Sequence, residues 1–135
     1  MLEEERQALS AYRMEKADDM LQSAKIELHE EHNASASNRA YYCLFHAMRA
    51  VLAMDGEDFK KHSGVISRFS QNYLKPEIIP RIYGPIISQA SLIRTKSDYE
   101  DFYTCSKEDA ASLVRAAESF LKDVRQYLEL RWKRA

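Results

Sequence analysis

Toward its end the chain repeats an apolar spacing that a helix buries on one side. Ala110, Leu113, Val114, Ala117, Phe120, Leu121, Val124 and Leu128 recur at intervals of three and four residues, the period of an amphipathic helix. Nothing interrupts this pattern, and little interrupts the rest: the 135 residues include only three glycines and three prolines. Nowhere do apolar and polar residues alternate with period two over a useful length, so no sheet is expected. These features predict an all-α fold, a four- to five-helix up-and-down bundle.

The periodicity divides the chain. A first helix is expected from about Leu9 to Glu30, with Ala17, Met20, Leu21, Ala24 and Leu28 on its buried side. His29 to Asn33 form a polar junction. Ser35 or Ser37 is a candidate N-cap for a second helix that stops near Asp55-Gly56,. A loop over Glu57–His62 follows, then a short helix capped by Ser63 and running to about Tyr73. Pro76 and Pro80 break the chain. A fourth helix carries Ile82, Ile86, Ile87, Ala90 and Ile93 and ends between Lys96 and Phe102. Ser106 with Asp109 three residues later has the form of a capping box ahead of the last helix,.

A chain of this length, 45% hydrophobic and 30% charged, suits one globular domain spanning residues 1–135. No run approaches the 18 or so apolar residues of a membrane span, and the acidic start lacks a signal peptide's apolar stretch, so a cytoplasmic protein without membrane attachment is expected. Cys43 and Cys105 have no disulfide or metal spacing and read as free thiols, Cys43 as a small packing residue,. The net charge of −1 argues against a protein that coats nucleic acid by bulk charge, but leaves room for a cleft with a few local cations.

The second helix carries the chemistry. At about 100° per residue, Arg39 and His46 lie seven residues apart and leave the same face, about 10 Å apart along the axis. Tyr42 falls between them, Ser35 precedes Arg39 by four residues and Arg49 follows His46 by three. The opposite arc, Tyr41, Leu44, Phe45, Met48, Val51 and Leu52, is an ordinary core face,. For an arbitrary helix, such a stripe is more often a solvated face or a subunit contact than a site.

This stripe resembles the HEPN superfamily, marked by an arginine, four to six intervening residues and a histidine on one helix; here the six residues Ala40 to Phe45 intervene. Asn38-Arg-Ala-Tyr-Tyr-Cys-Leu-Phe-His-Ala is similar to the NRxYYxxFHA stretch of a compact HEPN subfamily. Lys61-His62-Ser63-Gly64-Val65 and Arg94…Asp98-Tyr99 resemble two further recurrent points, and the likeness covers roughly residues 10 to 130. The resemblance implies a helical bundle independently of the periodicity. It also implies a metal-independent ribonuclease without cofactor, whose cleft forms between two protomers of a homodimer, and in several members a toxin neutralised by a small MNT-type nucleotidyltransferase antitoxin. In some HEPN toxins a tyrosine two residues beyond the histidine receives AMP from the partner enzyme. That position is Met48 here, so silencing at that site is not implied.

The residue types suit that chemistry. RNA carries its own nucleophile, the 2′-OH, so cleavage needs a proton-transfer group and a cation facing the developing phosphorane charge. His46 would move the proton and Arg39 would hold the charge through its fork of donors. Asn38, Tyr42 and Arg49 are the candidate substrate-binding residues: Asn38 to orient His46 or the phosphate, Tyr42 to donate a hydrogen bond or stack on a base unless it packs at a dimer seam, and Arg49 to extend the cationic strip, although a surface ion pair is the more common role for such a residue. Tyr41 and Phe45 read as core. His62 is expected to fix a turn, with phosphate binding the alternative. Arg94 and Asp98 are spaced as an intrahelical ion pair, and Tyr99 is expected to anchor the helix end. His29 and His32 read as solvent-facing rather than as metal ligands, and Arg131-Trp-Lys-Arg134 is too short for a nucleic-acid site,. Two alternatives to the nuclease stand: a non-catalytic HEPN homodimer that binds a nucleotide, an RNA or a nucleotidyltransferase partner, and a structural helical adaptor whose stripe is only an interface.

Overall fold

A computed structural model describes residues 2–134, and among them there are five α-helices and no strand: α1 Glu3–His29, α2 Asn33–Met54, α3 His62–Phe69, α4 Tyr83–Tyr99 and α5 Lys107–Arg134. One π-helical turn, Ser70–Leu74, prolongs α3. None of these helices is long and apolar enough to cross a membrane.

Helix α2 is the centre of the bundle and touches all four others. Its composition explains this. Ala36, Ala40, Ala47, Ala50 and Ala53 let neighbouring backbones come close, while Tyr41, Leu44, Met48, Val51 and Leu52 fill the space between; all ten are buried. Helix α5 packs with the eight apolar residues that set its period, every one buried. Cys43 lies sealed in this core, and burial pushes its thiol up to about 12, so it is inert packing,. Polar ties join the outer helices. Arg125 bonds Asp18, Trp132 Nε1 donates to Ser10 Oγ, and Arg131 reaches Asp55 at 2.7 Å and Tyr73 at 3.0 Å.

The junctions differ in part from expectation. Both α1 and α2 end in the Schellman arrangement, with Glu31 N–H on Leu28 O and His32 N–H on Glu27 O, then Gly56 N–H on Ala53 O and Glu57 N–H on Leu52 O,. Gly56 supplies the left-handed φ of 72° that the second turn needs; the first places Glu31 at 61°,. So tight a first turn lets α2 begin at once. Ala36 N–H already bonds His32 O, and Ser35 and Ser37 therefore lie inside the helix instead of capping it. Ser37 is buried, 3.1 Å from Cys105 Sγ. Ser63 likewise lies in the first turn of α3, whose cap position is Lys61. The Ser106 cap forms as expected, accepting from Asp109 N–H at 3.0 Å.

Two apolar expectations fail. Ile82 stands at the cap position of α4, ahead of its first turn, and is exposed; Tyr83 fills the core there and bonds Ser119 and Asp123. Tyr99 is 82% exposed, not an anchor. It follows Leu92 by two helical turns, and Leu92 is on the solvent side of α4, whereas the buried side runs through Ile87, Ala90 and Ile93,.

Candidate functional site: the open strip of the central helix

From Ser35 to Met54 the helix α2 is buried except along one line: Ser35, Asn38, Arg39, Tyr42, His46 and Arg49 are half-buried, and every other residue is fully enclosed. The stripe read from helical spacing is the only part of this stretch of α2 that solvent reaches.

Helix α1 forms one wall. Arg39 Nε donates to Ser23 Oγ at 3.2 Å, and Arg13 Nη1 donates to the carbonyl of Arg49 at 3.2 Å. These contacts fix an antiparallel register, which sets Lys16 across from His46. Arg13, Lys16 and Ser23 thus line the wall at helical spacing. The other wall is built by α3 and α4. Arg94 lies over the Tyr41 and Tyr42 rings, 5.1 and 5.9 Å from their centroids, and donates to Tyr42 Oη at 3.4 Å. Its pair with Asp98 is long, at 3.8 Å. His62 stacks on Phe45 with 4.1 Å between centroids and shares a 2.8 Å hydrogen bond with the Tyr41 hydroxyl. This is the turn-fixing role expected of it. Beside it a groove of about 610 Å³ opens between α3 and α4, lined by Ser63, Ser67, Ser88, Ser91 and Arg94 among others.

Cations outnumber carboxylates at the strip, where, among the described residues, only Asp58 and Asp98 answer them. Arg39, Arg49, Arg13, Lys16 and Arg94 all face the strip or flank it, although the whole chain carries −1. His46 is pulled down to about 4, first by burial and then by the charges of Lys16, Arg49, Arg13 and His62,. Its imidazole is therefore neutral at physiological pH, and Nδ1 is buried without a hydrogen-bond partner. The His46 ring as a whole is only half-buried, and a neutral imidazole reached by solvent among cations can accept a proton, at its open edge, from a substrate hydroxyl whose phosphate those cations hold. His62 is lowered too, by burial and then by Arg94 and Arg49.

The HEPN domain profile matches residues 10–127. The chain belongs to the HEPN domain family. Among the relatives of this HEPN chain, a Thermotoga maritima protein named UPF0332 is 30% identical over 93% of this chain and 95% of its own length. Two proteins of Methanocaldococcus jannaschii carry the name "Putative toxin": MJ0605 is 34% identical over 95% of this chain and 92% of its own, and MJ0142 29% identical over 85% and 78%.

Within this HEPN fold, Asn38, Arg39, Tyr42, His46 and Arg49 share one strip, but Arg39 and His46 do not meet. Arg39 is held by Ser23 and by Asn38 Oδ1 at 3.4 Å, and Tyr42 stands between the pair, its ring 6.1 Å from that of His46. The cations that bear on His46 are Lys16, Arg49 and Arg13, and Arg39 is not among them. Arg49 is engaged in the ion pair that its sequence position allowed, with Asp58 at 3.0 Å. Sequence reasoning missed Arg13, Lys16 and Asp58. The first two were accessible, since positions 13, 16, 20 and 23 share one face of α1. Nothing in the sequence marked Asp58, which reaches the site from the loop after α2. His32 pairs with Glu27 at 2.8 Å, a local contact across the α1 end.

Proposed function

We propose that this HEPN protein is a cytoplasmic, metal-independent endoribonuclease acting as a homodimer, and the toxin half of a pair with a nucleotidyltransferase antitoxin. The observation that carries this reading is the neutral His46 on the one open line of an otherwise enclosed helix, surrounded by arginines. His46 takes the proton of a ribose 2′-OH; the freed oxygen bonds the adjacent phosphorus as the P–O5′ bond breaks, and the departing 5′-oxygen takes a proton from solvent water. Arg39 faces the phosphorane charge. Since Arg39 and His46 of one protomer are about 10 Å apart along the axis, two facing α2 strips would bring an arginine of one copy toward the histidine of the other. The products are a 2′,3′-cyclic or 3′ phosphate and a 5′-hydroxyl. The toxin assignment draws on the names of the Methanocaldococcus relatives.

The test is cleavage of a mixed RNA pool. His46→Ala should lower the rate by about 10²–10⁴-fold and Arg39→Ala by about 10²–10³-fold. Arg39→Lys should also fail, because an ammonium cannot reproduce the guanidinium fork. EDTA should have no effect, and 2′-deoxy substitution at the scissile position should block cutting. Cleavage that survives His46→Ala, or that stops with EDTA, contradicts the mechanism. One observation favours the non-catalytic homodimer instead: the resting Arg49 is already neutralised by Asp58. Wild type that binds RNA or a nucleotide through the strip and cuts nothing establishes that reading.

A further inference from the structure

At the Arg49 end of the strip, two guanidiniums share one carboxylate. Asp58 Oδ1 accepts from Arg49 Nη2 at 3.0 Å, and Asp58 Oδ2 lies 3.3 Å from Arg13 Nη2. The partners are unequal. The Arg13 side chain is 7% exposed, whereas that of Asp58 is 60% exposed. Arg13 is committed to its position, because its other amino group caps the Arg49 carbonyl. Burial and the charge of Arg49 both act against its protonated form, and Asp58 offsets them. Partial burial alone would raise Asp58, but the hydrogen bond from Arg49 and the charge of Arg13 hold its carboxyl below the usual value. Arg49 Nε and His46 Nδ1 are both buried and unpartnered beside this cluster. The carboxylate leaves Arg49 Nε unserved; a tetrahedral anion presents additional oxygens to the same pair of forks.

The geometry points to Arg13 and Arg49 as a phosphate-binding site one turn beyond His46, closed in the resting protein by the Asp58 carboxylate, which a phosphate of the ligand displaces. Displacement is a local change at the Asp58 side chain. The flanks of the loop are tied down, with Glu57 paired to Arg68 at 3.0 Å and Phe59 packed under the Arg68 guanidinium and against Gly64. The Asp58 side chain is 60% exposed, with solvent to turn into, and its Oδ1 accepts from Phe59 N–H at 3.0 Å as well as from Arg49. The site stands 4.5 Å farther along α2 than His46, three residues at about 1.5 Å each. It would therefore hold a phosphate next to the one at His46, so that occupying the cleft requires expelling the built-in anion. This assignment deepens the proposed function by naming a regulated subsite in the same cleft, but it does not depend on cleavage.

The test is equilibrium binding to the full-length protein of two probes, inorganic phosphate and an all-2′-deoxy oligonucleotide that 2′-OH chemistry cannot cut. Asp58→Asn keeps the side-chain shape and removes the competing charge. It should tighten both probes by about tenfold, the worth of one or two partly exposed ion pairs. Asp58→Glu, which keeps the charge, should bind like wild type. Adding Arg49→Gln to Asp58→Asn should erase the gain. Tightening of the oligonucleotide alone would identify the displacing group as a nucleic-acid phosphate. Equal affinity of wild type and Asp58→Asn for both probes overturns the proposal, as does a gain that persists without Arg49. These outcomes hold whether or not the protein cuts RNA, so a failure here is separable from a failure of the nuclease reading.

Discussion

Acidification should destabilise this protein through His46 in particular. The side chain has an ordinary value of 6.5 and is lowered to about 4 in the folded chain, chiefly by burial and then by Lys16, Arg49, Arg13 and His62. Above the ordinary value neither the folded nor the unfolded state holds the proton, and the group contributes nothing. As pH falls through 6.5 the unfolded chain binds a proton that the folded one refuses, and stability is lost until the folded group also titrates near 4,. At about 1.36 kcal/mol per unit, the full displacement corresponds to about 3 kcal/mol. Lys16 is exposed, so screening trims its share, and about 2 kcal/mol should be lost between pH 7.5 and 4.5. Carboxylates and His62 titrate over the same interval, so the comparison must be internal. Urea unfolding of wild type and His46→Gln at both pH values isolates the term: wild type should lose about 2 kcal/mol more than the variant. A parallel loss in the two proteins, or an imidazole resonance that titrates near 6.5, would refute the argument that burial and the surrounding cations hold His46 neutral.

Two further outcomes are expected. Leu113→Ala and Phe120→Ala empty fully enclosed positions of α5, and denaturant unfolding should register a loss of about 2–5 kcal/mol for each; tolerance of both would mean that the α5 seam is not the core. Light scattering at micromolar concentration should give the mass of a dimer, and a monomer there would remove the composite site.

The fold was legible where burial follows from spacing alone. All eight apolar positions of α5 and the six of the α2 arc are enclosed, because a 3.6-residue period leaves few other ways to bury them. The caps were less legible. Ser35 and Ser37 carry the cap chemistry, but a backbone-only Schellman turn at Glu31 started α2 two residues ahead of Ser35, and such a turn with no glycine leaves little trace in the sequence. Tyr99 was misplaced for a different reason. Its size suggested packing, yet its angular position on α4 matches exposed Leu92. The site was half legible. The α2 strip could be counted off residue by residue, since all its members share one helix. Arg13, Lys16 and Asp58 come to it from α1 and a loop, and their arrival depends on the α1–α2 register, which no local pattern encodes.

The enclosure of α2 has a consequence for how such a protein can drift. Most helices have a solvated face where substitutions accumulate without effect. Between Ser35 and Met54, α2 has none: each side chain is either walled in by the other helices or stands on the cationic line. A replacement there changes packing or changes chemistry. Selection for a folded bundle and selection for the cleft therefore act on complementary halves of one element, and neither can be relaxed without the other constraining the same twenty-odd residues. New specificities would have to be written on α1, α4 and the loop that carries Asp58, around a central helix that stays as it is.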